Sequence, residues 1–134
     1  MPGYSGTPLP KKLGIKDGYR VEMIDAPAEV LAELKPALAA CEVSRDGKGP
    51  LNFGMLFTKS KAGLATEFKR ISKSMAPDGM LWISWPKKTS GVATDLNENI
   101  IREIGLAAGL VDVKVCAVTE IWSGLKFVRR LKDR

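Results

Sequence analysis

Histidine is absent from this 134-residue chain. Its absence excludes serine–histidine and cysteine–histidine catalysis, removes imidazole as a metal ligand, and takes away the most common general base near neutral pH. Cysteine is scarce. Cys41 and Cys116 stand far apart, form no paired ligand motif and cannot close a zinc site, so no metal is expected and both read as reduced, mostly buried thiols. No run approaches the roughly 18 consecutive apolar residues of a membrane helix, and the N-terminus lacks the apolar core of a signal peptide. A cytoplasmic protein with no membrane partner is expected. Internal repeats and low-complexity tracts are also missing.

What is present is ordinary for a globular chain: 45% hydrophobic and 27% charged residues, at a length that suits one domain. The net charge of +6 admits nucleic acid or another polyanion as partner. Its basic residues are dispersed, however, with no run longer than two adjacent positives, which describes a solvated basic surface.

Residues 1–12, with three prolines and two glycines, read as an N-terminal arm, extended or turning, ahead of a single α/β domain over 13–134. Residues 20–24 alternate polar and apolar side chains and predict a first strand. Asp25 or Ala26 then caps a helix with Pro27 in its first turn and Val30, Leu31, Leu34 and Leu38 on one face, although Pro36 interrupts it. Residues 42–44 suggest a very short edge strand, and 45–50 a loop. The apolar run 51–57 reads as a strand covered on both faces. A helix over about 61–75 follows, broken by Pro77-Asp78-Gly79, and then a buried strand over 80–85 that Pro86 ends.

Thr94 or Asp95 caps the next predicted helix, whose core side is Ile100, Ile101, Ile104 and Leu106 and which Gly109 stops. Residues 112–121 and 125–131 predict two strands joined at Ser123-Gly124. Strands separated by helices imply a three-layer, Rossmann-like α/β fold: a mostly parallel sheet, helices on both faces, and a C-terminal antiparallel hairpin.

The candidate ligand site is Lys87, Lys88, Thr89, Ser90 and Gly91, after the carboxyl end of a central strand and before a helix. Open α/β sheets bind ligands at that edge, and backbone amides, two ammonium groups and two hydroxyls suit a phosphate or carboxylate. The spacing is not that of a P-loop. Trp85 beside the loop, with Trp82 and Trp122, offers a ring to stack on a ligand, but Trp82 and Trp85 must face opposite sides of a strand. If the N-terminal arm folds over the same edge, Tyr4, Ser5 and Thr7 complete a pocket with Ser84, Lys87 and Ser90.

From Leu51 to Leu131 the order of elements resembles the second half of a class I methyltransferase. That resemblance implies S-adenosylmethionine held by a glycine-rich turn after the first strand and an acidic residue after the second. Here Ile24-Asp25-Ala26-Pro27 takes the place of the turn, without a glycine to let the cofactor approach the backbone. Asp46 follows the second strand, beside Gly47, and reads either as a turn residue or as that acid. Two longer strings, from Tyr4 to Lys16 and from Trp85 to Leu96, together with residues 114–118 and 122–125, resemble the bacterial family known as domain of unknown function three thousand and fifty-two. The resemblance spans the chain and carries over no reaction, cofactor or catalytic residue.

With histidine and the cofactor glycines missing, the sequence points first to a non-catalytic binding module for a small anionic ligand or acidic partner, with no cofactor. A divergent S-adenosylmethionine-dependent methyltransferase-like enzyme is the alternative, and nucleic-acid binding a further one. An exposed hairpin edge at 125–131 is a possible homodimer contact.

Overall fold

A computed structural model describes residues 6–46 and 48–134. Six strands form one sheet in the order β2-β1-β3-β4-β6-β5, where β1 is Arg20–Ile24, β2 Glu42–Val43, β3 Leu51–Phe57, β4 Met75–Pro86, β5 Leu110–Ala117 and β6 Trp122–Arg129. The first four run parallel, and β6 is antiparallel to both β4 and β5. The expected α/β class, mostly parallel sheet and terminal antiparallel hairpin are therefore present.

Alternation along the strands separates two cores. On β3 and β4, Phe53, Met55, Met80 and Trp82 pack toward α1 (Leu9–Leu13) and α2 (Ala28–Leu38). Leu56, Leu81, Ile83 and Trp85 pack toward α3 (Lys61–Lys73) and α4 (Glu98–Ala107). Trp82 and Trp85 do face opposite sides, and both are buried. The close approach of α4 to β6 requires Gly105, because a Cβ there would meet the Phe127 ring 2.6 Å from Cζ.

Several expected boundaries shift once long-range pairing is in place. The segment read as an extended arm holds α1, which buries Leu9 and Leu13 and ends at Gly14 with a φ of 88°. Pro27, not Asp25 or Ala26, is the N-cap of α2, and Leu31 is 40% exposed, on the outer side of the helix. Helix α3 ends at Lys73, and Pro77-Asp78-Gly79 falls inside β4 rather than before it. There the pairing jumps from Leu51 opposite Met75 to Phe53 opposite Met80.

Asn97 caps α4 in place of Thr94 or Asp95, its side chain accepting from the Ile100 N–H at 2.9 Å, and Leu106 is 51% exposed. The hairpin turns at residues 118–121 instead of Ser123-Gly124. Gly124 lies in β6, where a Cβ would touch the Trp82 ring at 3.0 Å. Strand β6 lies between β4 and β5, so its edges are both used and the free edge of the hairpin is β5. No helix among the described residues is long and apolar enough to cross a membrane.

Candidate functional site

Strand β2 has only two residues, so it pairs with Arg20 and Val21 and leaves Glu22, Met23 and Ile24 with ladder partners on β3 alone. That open edge is the floor of a cleft of about 1010 Å³ between α2 and α3 at the carboxyl ends of β1 and β2. Ile24, Leu31, Leu38 and Val43 give it apolar walls, and Lys35 and Arg45 also line it. Leu31 and Val43 are large hydrophobic side chains left exposed by the fold.

Glu22 is the polar exception, only 5% exposed. Its Oε2 accepts from the Arg70 guanidinium at 2.8 Å, while Oε1 has no hydrogen-bond partner among the described residues. Arg70 also reaches Glu67 at 3.1 Å, and the bond to Glu22, more than the one to Glu67, holds its pKa above the ordinary arginine value. At the mouth of the cleft Asp25 has a φ of 56°, the left-handed conformation usually left to glycine, which costs a residue with a Cβ roughly 1–2 kcal/mol. Pro27, at the helix entrance, offers no N–H.

Asp46 is a turn residue. Its Oδ1 accepts from the Lys48 N–H at 3.1 Å and from Ser44 Oγ at 3.2 Å, and the Lys48 bond does most to lower its pKa from the ordinary aspartate value.

The loop proposed from sequence lies two strands further along the same sheet edge. Trp85, Lys87, Lys88, Thr89 and Gly91 line an open cleft of about 800 Å³. Two predicted members are spent on internal bonds: Ser84 Oγ donates to the Ser123 carbonyl at 2.7 Å, and Ser90 Oγ donates to that of Lys87 at 2.7 Å while accepting from Val92 N–H. Residues 88–90 form a single 3-10 turn, and α4 begins only at Glu98, which lines this cleft and whose carboxylate is paired with Arg102. Trp85 is 6% exposed and serves the core. Thr7 lines a separate hollow with Pro8, Lys12, Glu33 and Pro36, and Tyr4 and Ser5 lie outside the described residues.

Thr94 and Asp95 tie this loop to the turn after β3. Thr94 Oγ1 donates to the Lys59 carbonyl at 2.6 Å, and Asp95 Oδ1 accepts from Lys61 N–H at 2.8 Å, satisfying a donor in the first turn of α3. Glu22 and Arg70 escaped the reading of the sequence, and Asp95 was expected to cap α4 but binds the first turn of α3 instead. Glu22 fell on the polar side of the alternating strand and so gave no sign that it would be buried.

The sheet order decides what the chain is similar to. It is a methyltransferase-like fold. Magnesium protoporphyrin IX methyltransferase from Synechocystis PCC 6803, solved with SAH bound, superimposes with a TM-score of 0.58 at 12% identity, over 91% of this chain and 78% of its own. A TehB-like SAM-dependent methyltransferase from Corynebacterium glutamicum gives 0.57 at 8% identity, over 96% and 90%. The fibrillarin pre-rRNA processing protein of Methanococcus jannaschii gives 0.52 at 13%, over 92% and 69%. No family model and no curated protein matches the sequence.

The methyltransferase-like likeness thus runs over nearly the whole chain, not only from Leu51 onward. It also corrects the first functional expectation. With methyltransferases repeated among the structural neighbours, the methyltransferase-like alternative is favoured over a non-catalytic binder of anions.

Proposed function

We propose that this methyltransferase-like chain is an enzyme that takes S-adenosylmethionine as methyl donor in the cleft beside β1. The observation that carries the reading is the position of that cleft: about 1010 Å³ opens at the carboxyl ends of β1 and β2, where open α/β sheets bind ligands. Glu22, which lines the cleft, supports the fit, because its enclosed Oε1 is an acceptor without a donor among the described residues. The turn departs from the methyltransferase pattern, since Asp25, Ala26 and Pro27 keep a ligand away from the backbone.

The group is accordingly held by side chains. Ile24, Leu31 and Val43 cover its ring and exclude water, Glu22 accepts a hydrogen bond, and Lys35 and Arg45 meet its carboxylate. When bound, S-adenosylmethionine supplies an electrophilic methyl group. Lys87 and Lys88, further along the same edge, meet the acceptor. With no histidine, any proton the acceptor loses passes to a carboxylate, a lysine or water. The strings from Tyr4 to Lys16 and from Trp85 to Leu96 support, within this proposal, membership of the bacterial family they resemble.

Calorimetric titration with S-adenosylmethionine and S-adenosylhomocysteine tests the reading. Saturable binding tighter than about 1 mM, equivalent to about −4 kcal/mol, is expected. No saturation at that concentration for either ligand overturns it.

A further inference from the structure

The ladder between β5 and β6 sets Lys114 directly opposite Lys126, on the same face of the sheet. Opposed like charges weaken a strand pair, and here the neighbourhood adds more positive charge instead of a counter-ion. Burial, and then Lys114 and Lys16, push the Lys126 ammonium below the ordinary lysine pKa. Its Nζ lies 3.9 Å from where a Cβ on Gly14, at the end of α1, would stand. Lys12 and Lys114 pull the Cys116 thiol down against its burial, and Cys116 packs on this same side. Lysines from α1, from the turn after it and from both strands of the hairpin therefore meet on the face that α1 covers.

The group is held in place by the main chain. Lys12 Nζ donates to the Ala117 carbonyl at 2.9 Å, and Lys114 Nζ donates to the Lys12 carbonyl at 3.0 Å, so the two cross between α1 and β5. An ammonium has three N–H groups, and one bond to a neutral carbonyl leaves the charge of Lys114 uncompensated. Among the described residues no carboxylate forms an ion pair with Lys16, Lys114 or Lys126; the pairs found there engage Arg20, Arg70, Arg102 and Arg130. Of the acids on the adjoining elements, Asp17 acts on Cys41, Glu33 lines the hollow beside Lys12, and Asp112 turns to Arg102 on the other face.

A ligand that completes this group carries more than one negative charge and several acceptor oxygens, because ammonium groups present only donors. A phosphoryl group has both, with a charge of about −1.5 to −2 at neutral pH and three strong acceptors. We propose that Lys16, Lys114 and Lys126, with Lys12 beside them, form a binding site for a phosphoryl group on the α1 face of the C-terminal hairpin. The bound anion supplies the counter-charge that β5 and β6 lack. Neither the methyl-donor cleft nor the cleft at Lys87 and Lys88 is lined by any of these lysines, so the site stands independently of the methyl-donor reading.

Inorganic pyrophosphate, titrated calorimetrically into the full-length protein at constant ionic strength, tests the proposal. Saturable binding to wild type is expected, weakened about tenfold by Lys114→Gln and by Lys126→Gln, since each removes a hydrogen bond to a charged group. Lys132→Gln, which removes an exposed charge elsewhere, is expected to leave binding unchanged. The melting temperature is the second readout. Pyrophosphate is expected to raise it in wild type and to lose most of that effect in Lys114→Gln, whose own melting temperature without ligand is not lowered, because the opposed charges are relieved. Lys114 is exposed, so this variant reports on the site even if Lys126→Gln does not fold.

A single-stranded RNA oligonucleotide identifies the source of the group. Displacement of pyrophosphate by the oligonucleotide, steeply weakened by salt, supports the site with a nucleic-acid backbone as its ligand. Pyrophosphate bound and the oligonucleotide refused supports it with a small phosphorylated ligand. Binding of neither, or a loss on Lys132→Gln as large as on Lys114→Gln, overturns the proposal.

Discussion

The indole N–H of Trp82, buried in the middle of β4, donates to the carbonyl of Leu13 at 2.9 Å. One bond thus fastens the end of α1 to the centre of the sheet, across 69 positions of sequence. A helix of five residues has no stability of its own, so it persists through this bond and the burial of Leu9 and Leu13.

Replacing Trp82 with Phe removes the donor and leaves the Leu13 carbonyl unpaired in the core. A loss of about 1–3 kcal/mol is expected, measured as the fall in free energy of urea unfolding. Hydrogen exchange should rise selectively at Lys12 and Gly14, whose amides bond within the α1 region. Unchanged stability would show that the bond does not hold the helix in place.

Asp95→Ala frees the Lys61 N–H at the start of α3 and leaves Thr94 to hold the loop to the Lys59 carbonyl. Ser60, the N-cap, keeps its bond to Gly63 N–H, so the loss is that of one exposed hydrogen bond to a charged group, about 1 kcal/mol, and a melting temperature lower by a few degrees is expected. Asn is the control: it keeps an acceptor oxygen and should restore most of the loss. Equal destabilisation by Ala and Asn would contradict the capping role.

Burial pushes the thiols of both Cys41 and Cys116 above the ordinary cysteine value, although Lys12 and Lys114 partly counter this at Cys116. Less thiolate is then present at neutral pH in the folded protein than in the unfolded chain. Iodoacetamide at pH about 8 should modify the folded protein several-fold more slowly than protein unfolded in urea. Because the folded pKa is raised, the associated stability is complete below the ordinary thiol pKa and is lost as pH climbs through the folded value. Equal alkylation rates for folded and unfolded protein would contradict this assignment.

The sequence by itself determined the elements whose signals are local. The apolar run at 51–57 and helical spacing from Leu64 to Ile71 record burial, and alternation at 20–24 marked a strand, though not its buried face, since Val21 and Glu22 are both buried. The missing glycines after β1 were legible too, and the left-handed φ of Asp25 shows what their absence costs.

Only the tertiary structure decided where segments with mixed signals ended. Pro77-Asp78-Gly79 reads as a turn, but pairing with β3 on both sides keeps it in β4, with its extra residues taken up by the shift in register. Ser123-Gly124 reads as a hairpin turn, yet Gly124 pairs with Ser84 inside the sheet, where a Cβ would press on the neighbouring Trp82 ring at 3.0 Å. The candidate site was the least legible part, because its parts are brought together by distance in space: a two-residue β2 leaves an edge open, α3 carries Arg70 back to Glu22, and one carboxylate oxygen remains unpaired. Local propensity records which face of a segment is buried. It does not record what meets that face.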